Sequence, residues 1–532
     1  MTSTFFAPGL RVIEGKWQHI PQLQAILRQS SADTLVALGL YERALMPQDQ
    51  VIAWNKTKFW ASTLQTLNAR AKKAFILADL DRITEATELL DTTIEAMRAS
   101  GHLNTTEAVQ ALTQRAHLYN MKGVYPGTRA YLTEALEIAT RSFGPDDPRT
   151  LRAVYDREIS FMGKSSLDEI KALVQKFKSA VGSDHPDTLA AMELLSARQS
   201  EEGLHAEALE TSQSLLASTV RVLGDNHRDV ARAQANLAQS LAAVDRIPEA
   251  IDVMRTSVAN TERILGRSSS SAIFSNGNLG TLLLLDGQIE EAKAKIQDTV
   301  DMAKSRYGEG TPPHLIYSDY LAQAEFLEGA FESAIERSNF VAEVIAKIHG
   351  RPDMLAESYE RVARIMMAEK QYPKAHETLA KALAAFKDDD PRDAVVKIRI
   401  TALMQFCEHH LGKQVLNPLR ETLFKQKSDK GIGWMDTAMT VGYLAALYND
   451  QGDSARALEL TTETLAKIEA IFPDGHYAML PLLVQETRAL QSLNDKDKAQ
   501  ATYQAGLRII ASTSGLDVRW KQELKSALET SD

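Results

Sequence analysis

The chain has 532 residues, of which 44% are hydrophobic and 24% charged, a composition typical of a folded protein rather than a disordered one. Its net charge of -10 argues against general nucleic-acid binding, and its single cysteine, Cys407, excludes an intramolecular disulfide. The first residues lack the features of a signal peptide, and no apolar run is long enough to span a bilayer. These features predict a cytoplasmic protein that does not use a membrane.

A helical hairpin between residues 223 and 302 occurs twice, with the second copy 42 residues after the first. Gly224 opens the first copy and Gly266 opens the second. The segment 236–238 (Asn-Leu-Ala) corresponds to 278–280 (Asn-Leu-Gly). A fixed period of this size indicates an array in which each unit contacts only its neighbours. We therefore expect an all-α chain of about a dozen stacked helix pairs, an α-solenoid.

The turn between the two helices of each unit is the clearest marker of the repeat. Gly, Asp and Asn tolerate the left-handed backbone conformation that ends a helix, so these residue types favour such a turn. The predicted turns lie 40 to 42 residues apart, at Gly39, Asp81, Gly123, Gly163, Gly203, Asp245, Gly287, Gly329, Gln371, Gly412, Gly452 and Asn494. Between units, Gly followed by Asp or Pro ends one helix and starts the next, as in residues 144–148 and 182–186.

The regularity of the repeat varies along the chain and predicts four regions. Residues 1–60 form an N-terminal helical region or degenerate capping repeat, and residues 61–350 form the regular array. Residues 351–434 are degenerate repeats, in which larger residues such as Arg364 replace the expected small ones. Residues 435–532 return to regular repeats and end in a charged amphipathic helix that caps the last unit.

The repeat motifs resemble those of the tetratricopeptide-repeat family, and more narrowly its 42-residue variety in kinesin light chains. Besides the two asparagine segments, the motifs that carry the resemblance are 182–187 (Gly-Ser-Asp-His-Pro-Asp), 223–227 (Leu-Gly-Asp-Asn-His) and Glu-Ala at 207–208, 249–250 and 291–292. They are also similar to bacterial arrays, some of which are fused to kinase or DNA-binding domains. The resemblance implies a right-handed superhelix of antiparallel helix pairs, whose first helices line a concave groove that binds peptides or proteins.

The resemblance also implies that residues six, nine, ten and thirteen before each turn line this groove; we term these the groove positions. The candidates at these positions are Arg232, Asn236, Gln239, Asn278, Thr281, Asp319, Tyr320, Gln323 and Arg361. Asn236 and Asn278 match asparagines that hold the backbone of an extended peptide in similar proteins, since an amide both donates and accepts. The alternative for both is an interhelical hydrogen bond, because buried polar groups need partners. A clamp for a terminal carboxylate is not expected, since Glu193 and Ala197 occupy its positions.

Two segments resemble parts of nucleotide-using enzymes but are incomplete. Residues 227–229 (His-Arg-Asp) resemble a kinase catalytic loop, but Gln234 stands where the metal-binding asparagine is required. Residues 163–165 (Gly-Lys-Ser) resemble the end of a phosphate-binding loop, but Glu158 replaces the required glycine. Both segments fall at loop positions of the repeat, so we expect neither catalysis nor nucleotide binding.

Two candidate metal sites are incomplete as well. His376 and Glu377 lack the second histidine of a zinc-protease helix, because residue 380 is alanine. Cys407 and His410 share a helix face, but two ligands do not complete a metal site. The sequence therefore predicts no metal site, no cofactor and no enzyme activity.

Aromatic and basic residues are mixed near the start of the array. They are Trp54, Lys56, Lys58, Trp60, Arg70, Lys72 and Lys73. One interpretation is a basic patch for an acidic peptide or nucleic acid. The other, which we favour, is an amphipathic helix pair with solvated lysines. Lys72 also falls in a groove position, so binding of an acidic peptide stays open.

We predict a non-catalytic scaffold or adaptor that binds a peptide or protein segment in the concave groove. In this hypothesis Asn236 and Asn278 hold the backbone of the bound segment on rigid helices. Its side chains are contacted by Arg232, Gln239, Tyr320 and Arg361. The alternative is a regulatory or sensor module that acts with a kinase or a DNA-binding regulator on another chain. Nucleic acid is not expected as a direct ligand, and the partner and the oligomeric state stay open.

Overall fold

A computed structural model of the protein describes residues 21–37, 40–80, 82–121, 125–162, 165–347, 351–386, 393–428 and 433–529. Within these ranges the chain consists of helices and short turns, with no β-strand. Each helix packs mainly against the helices before and after it, and the predicted all-α solenoid is therefore confirmed. The predicted turns at Gly39, Asp81, Gly123 and Gly163 lie outside the described residues.

The first of two compact units comprises Met1–Leu195. Its helices are α1 (Pro21–Ala37), α2 (Tyr41–Phe59), α3 (Leu64–Asp79), α4 (Ile83–Ala99), α5 (Thr106–Met121), α6 (Tyr125–Phe143), α7 (Pro148–Arg157) and α8 (Leu167–Val181), and α9 (Pro186–Glu201) runs across the unit boundary. After α7 the chain continues as one π-helical turn, Glu158–Met162. Apolar residues four apart, such as Leu90 and Ile94, place one side of each helix from α3 to α6 in a shared core, which Ala153 of α7 joins.

The second compact unit comprises Ser196–Asp532. Its helices are α10 (His205–Leu223), α11 (Arg228–Ala242), α12 (Ile247–Leu265), α13 (Ser270–Asp286), α14 (Ile289–Tyr307), α15 (Pro312–Glu328), α16 (Phe331–Ile345), α17 (Pro352–Ala368), α18 (Tyr372–Ala384), α19 (Ala394–His410), α20 (Leu416–Ser428), α21 (Trp434–Asp450), α22 (Ser454–Ile471), α23 (Leu480–Ser492), α24 (Lys496–Ser512) and α25 (Arg519–Glu529). First helices of successive pairs also touch one another, as α17 touches α19 and α19 touches α21. The final helix, α25, packs against α23 and α24. The four regions expected from repeat regularity stay predictions.

Most described turns fall where the sequence predicts them. A left-handed backbone, with φ between 60° and 84°, occurs at Gly203, Asp245, Gly287, Gly329, Gly412, Gly452 and Asn494. The turn predicted at Gln371 is wrong by one residue, because the left-handed residue is Lys370, with φ 60°. The N–H of Gln371 closes α17 by bonding the carbonyl of Met366 at 2.8 Å. Arg361 therefore lies nine residues before its turn, at the same groove position as Asn236.

The loops between repeat units use histidine as a helix cap. The Nδ1 atom of His185 accepts the backbone N–H of Asp187, and Nδ1 of His227 accepts that of Asp229, both at 3.2 Å. A cap of this kind satisfies one of the four N–H groups that have no partner at the start of a helix. The His-Arg-Asp segment at 227–229 thus begins α11, as its loop position predicts.

The expectation that each unit contacts only its neighbours is wrong in the second compact unit. Nε2 of His476 donates to the carbonyl of Leu285 at 2.9 Å, across 191 positions of sequence. The backbone N–H of Asp517 donates to the carbonyl of Leu327, also at 2.9 Å. The Arg519 guanidinium lies 4.6 Å from the ring centroid of Phe331.

The physical reason for this return contact is continuous apolar burial. One hydrophobic cluster joins Ile289 in the middle repeats to Leu516 near the end of the chain. The helices of this unit are thus wound tightly enough for late repeats to reach the turns at Gly287 and Gly329. We term the contact between residues 476–519 and these two turns the return contact.

Candidate functional site

The predicted groove residues lie on four first helices of the second compact unit. Arg232, Asn236 and Gln239 are on α11, Asn278 and Thr281 on α13, Asp319, Tyr320 and Gln323 on α15, and Arg361 on α17. Arg232, Gln239 and Tyr320 are exposed, Asp319 is buried, and the others are half-buried. Of these, the structure brings Asp319 and Arg361 into direct contact.

Asn236 and Asn278 differ from the structural asparagines around them. Nδ2 of Asn236 is shielded from solvent and has no hydrogen-bond partner among the described residues. Asn278 is half-buried, and its side chain makes no hydrogen bond to any described residue. By contrast, Nδ2 of Asn276 donates to Glu262 and to the carbonyl of Ala272, both at 2.9 Å. Nδ2 of Asn236 thus does not form the interhelical hydrogen bond considered as the alternative, and its donor capacity stays unused.

Asp319 and Arg361 form a two-pronged ion pair between neighbouring first helices. Their nitrogen–oxygen distances are 2.6 and 3.0 Å, and the side chains are only 12% and 11% exposed. Burial disfavours the charged guanidinium, but the charge of Asp319 and its hydrogen bonds outweigh this effect and raise the pKa of Arg361. Since each group is a charged partner for the other, the pair is a fixed link between α15 and α17.

A second ionic cluster, which sequence reasoning missed, follows along the groove. Arg399 on α19 contacts Glu360 at 2.9 Å, Glu357 at 3.0 Å and Asp436 at 3.5 Å. Burial raises the pKa of both Glu357 and Asp436, although the charge of Arg399 opposes this shift. Counting from Lys370 instead of Gln371 places Glu357 and Glu360 in groove positions. The correct position of this turn would therefore have predicted both residues from the sequence.

Three aromatic side chains are neighbours on α13 and α15, and we term them the aromatic floor: Phe274, Tyr317 and Tyr320. The ring centroids of Phe274 and Tyr317 are 6.3 Å apart, and Tyr320 follows Tyr317 by one helical turn. Phe274 is 42% exposed and Tyr320 is 37% exposed, whereas Tyr317 is buried. Phe274 and Gly277 lie thirteen and ten residues before Gly287, so both also fall at groove positions.

Gly277 leaves the space that the ring of Tyr317 occupies against α13. A Cβ atom at residue 277 would stand 2.0 Å from Cε1 of Tyr317, closer than any real contact. The ring therefore occupies the space that a side chain on α13 would fill. Burial raises the pKa of Tyr317, and burial together with the charge of Glu357 raises that of Tyr320.

The basic residues near the start of the chain are partly neutralised within the first compact unit. Lys72 pairs with Asp33 at 2.9 Å, and Lys73 pairs with Asp49 at 2.6 Å. Trp60 is 81% exposed at the end of α2. Pairing of the lysines with acidic neighbours weakens the interpretation of this segment as a binding patch for an acidic ligand.

The sequence candidates for metal binding have structural roles in the described parts of the chain. Cys407 is buried, and burial raises the pKa of its thiol to about 12, which keeps it protonated. The ring of His410 stacks on that of Tyr372, with centroids 3.9 Å apart. Among the described residues, no three His, Cys, Asp or Glu side chains are grouped so that they could hold a metal ion. Gly163 and Lys164 lie outside those residues, and none of the described helices has the length and apolarity to cross a bilayer.

Comparisons with known proteins match this chain at the level of repeat and fold. A sequence profile of the tetratricopeptide repeat matches residues 109–149, which cover most of α5, all of α6 and the first residues of α7. No curated protein sequence matches the chain. The crystal structure of the APC/C hetero-tetramer Cut9-Hcn1 is 13% identical with a TM-score of 0.50, over 97% of this chain and 95% of that chain.

Two shorter solved structures also match. The nearly identical TPR-like repeats of a Podosopora anserina protein assigned as a kinesin light chain are 24% identical, with a TM-score of 0.33, over 38% of this chain and 96% of that chain. BtubC from P. vanneervenii is 14% identical, with a TM-score of 0.34, over 44% of this chain and 90% of that chain. These findings show that the chain contains a tetratricopeptide repeat at residues 109–149 and that its stacked helix pairs have an all-α solenoid fold.

Proposed function

We propose that the groove of the second compact unit binds an extended segment of a protein partner. Tetratricopeptide repeats generally support protein-interaction scaffolds, and this general role fits the stacked first helices. The observation that carries the proposal is the unused Nδ2 donor of Asn236, since a buried amide without a partner costs about 1–3 kcal/mol. A peptide carbonyl from a partner supplies the missing acceptor once the side chain turns toward the groove.

In this proposal the groove residues have distinct roles. Asn236 and Asn278, on successive first helices, hold the backbone of the segment, since each amide can both donate and accept. Side-chain contacts come from Arg232, Gln239, Thr281, Tyr320 and Gln323. Arg361 and Asp319, which already satisfy each other, keep α15 and α17 at a fixed spacing. No cofactor and no catalytic step are part of the proposal.

The test combines a peptide library with a double substitution. The purified full chain is used to select binders from a random twelve-residue peptide library displayed on phage, and one selected peptide is synthesised for titration. We expect the Asn236→Ala, Asn278→Ala double variant to bind this peptide at least about tenfold more weakly, the effect of losing roughly one hydrogen bond to a buried polar group.

The same double variant should melt within a few degrees of the wild type, because neither amide holds the fold together. Gln213→Ala on the second helix α10, an exposed residue, is the matched control and should bind unchanged. Equal affinity of the double variant and the wild type for every selected peptide would sink the groove assignment.

The second candidate function is a regulatory module that works with a kinase or a DNA-binding regulator. The return contact favours it, because opening of this long-range contact would give a second arrangement that a ligand could stabilise. Small-angle scattering discriminates between the two functions. A passive scaffold keeps one radius of gyration with and without the selected peptide, whereas a sensor module changes it.

A further inference from the structure

The aromatic floor carries two aromatic side chains that are exposed on the first helices α13 and α15. Aromatic residues make up only 6% of this protein, yet Phe274 and Tyr320 are both exposed and flank the buried Tyr317. Gly277 removes the side chain that would otherwise cover the ring of Tyr317. Exposed aromatic surface at the bottom of a groove favours a bulky apolar side chain, whose burial there removes apolar area of both partners from water.

The aromatic floor is next to the proposed backbone-binding amides. Phe274 and Asn278 are four residues apart on α13, so they share one face of that helix. Tyr320 occupies, on α15, the groove position that Asn278 occupies on α13. A segment whose backbone is held at Asn236 and Asn278 therefore passes its next side chains over Phe274 and Tyr320.

The charges beyond Tyr320 have a negative excess. Arg361 neutralises Asp319, whereas Glu357, Glu360 and Asp436 all contact the one guanidinium of Arg399. Arg364 reaches Glu360 only at 3.9 Å. The side chain of Glu357 is 36% exposed, and its charge acts on the hydroxyl of Tyr320. A partner cation in this place would meet both a carboxylate and an aromatic ring, and a partner carboxylate would be repelled.

We propose that the groove formed by α11, α13, α15 and α17 selects a segment with a bulky apolar side chain followed closely by lysine or arginine. The apolar side chain lies on Phe274 and Tyr317, and the basic side chain reaches over Tyr320 toward Glu357. The proposal rests on the function proposed above and adds the chemistry of the partner. It excludes acidic segments as preferred ligands of this site.

The phage selection tests the proposal directly. The selected sequences should be enriched in an aromatic or large aliphatic residue followed within a few positions by Lys or Arg. The Phe274→Ala, Tyr320→Ala double variant should bind a selected peptide at least about tenfold more weakly. Glu357→Gln, which keeps the shape and removes the charge, should weaken binding several-fold at low salt and less at high salt.

Three controls separate the possible outcomes. Tyr320→Phe keeps the ring and should retain binding, Gln213→Ala should have no effect, and the melting temperature of each variant shows that it is folded. This inference is wrong if the selected peptides lose affinity for the Asn236 and Asn278 variant but not for the Phe274 and Tyr320 variant. It is also wrong if the selected peptides share an acidic consensus. Either result leaves the proposed function in place. If the selected peptides bind the two double variants as tightly as the wild type, or if the selection enriches no sequence, both this inference and the proposed function are wrong.

Discussion

At the scale of single residues, the same residue type has opposite roles in equivalent places. Gly277 and Gly442 both lie ten residues before a turn, at Gly287 and Gly452. At Gly277 an added Cβ atom would stand 2.0 Å from the ring of Tyr317, whereas at Gly442 the nearest side-chain atom is 3.7 Å away, an ordinary contact. Only the first glycine is required by packing.

Replacing each of these two glycines with alanine should change the free energy of unfolding in opposite directions. Gly277→Ala should destabilise the protein by about 1–3 kcal/mol, since the overlap with Tyr317 outweighs the gain in helix propensity. Gly442→Ala should stabilise it by about 0.5–1 kcal/mol, because alanine loses less backbone entropy in a helix. Midpoints of urea unfolding at unchanged slope check both values. A stabilising Gly277→Ala would contradict the packing of the aromatic floor.

At the scale of helices and turns, most turns of the second compact unit have glycine as their left-handed residue, but the turn after α17 has Lys370. Lys370 has φ 60°, a conformation that costs a residue with a Cβ atom roughly 1 kcal/mol. The spacing from Gly329 to this turn is 41 residues rather than 42, which moves every groove position of α17 by one residue. Because of this one-residue shift, Arg361 has the same groove position as Asn236, and Glu357 and Glu360 also fall at groove positions.

The left-handed turn at the end of α17 can be tested by substitution. Lys370→Gly should stabilise the protein by about 0.5–1 kcal/mol, because glycine adopts this backbone without a steric penalty. The reverse change at an equivalent turn, Gly412→Ala, should destabilise it by about 1 kcal/mol, since its φ is 83° and no atom crowds the added Cβ. Thermal unfolding measures both. If Lys370→Gly lowers the melting temperature, the turn does not lie at Lys370.

At the scale of the second compact unit, the return contact is held by buried polar groups as well as apolar ones. His476 is 2% exposed, its ring lies 4.3 Å from that of Phe472, and both of its nitrogens are engaged. Nδ1 accepts the N–H of Ala478, so the ring must be neutral to make both bonds. Burial lowers the pKa of His476 to about 4, although the bond to the carbonyl of Leu285 opposes this shift.

This pKa predicts that the return contact weakens in mild acid. The folded-state pKa lies below the ordinary value near 6.5, so the unfolded chain binds the proton first as pH falls. The stabilisation is complete above about pH 6.5 and is lost progressively down to about pH 4, with a loss of about 2 kcal/mol between pH 7 and pH 5. Urea unfolding at both pH values measures the difference.

The variant His476→Asn is the control for the pH experiment. Asparagine can still cap the following turn but does not titrate, so this part of the pH dependence should disappear. The protection factors of residues 285–290 against hydrogen exchange, each taken relative to the intrinsic rate at the same pH, should also be lower at pH 5 than at pH 7 in the wild type only. Identical pH dependence in the variant and the wild type would contradict the assignment to His476.

Sequence alone determined the features of this protein that depend on residues close together in the chain. The conformational freedom of Gly203, Asp245 or Asn494 is a local property, so the turns and the 42-residue period follow from it, whereas the groove positions of α11 to α15 come from the family resemblance and stay predictions. Only the tertiary structure decided which side chains meet across helices. Small rotations between successive helix pairs determine three such contacts. They are the ion pairs of Arg399, the packing of Tyr317 against Gly277 and the hydrogen bond from His476 to Leu285. These rotations add up over the array, and no local pattern of residues records their sum.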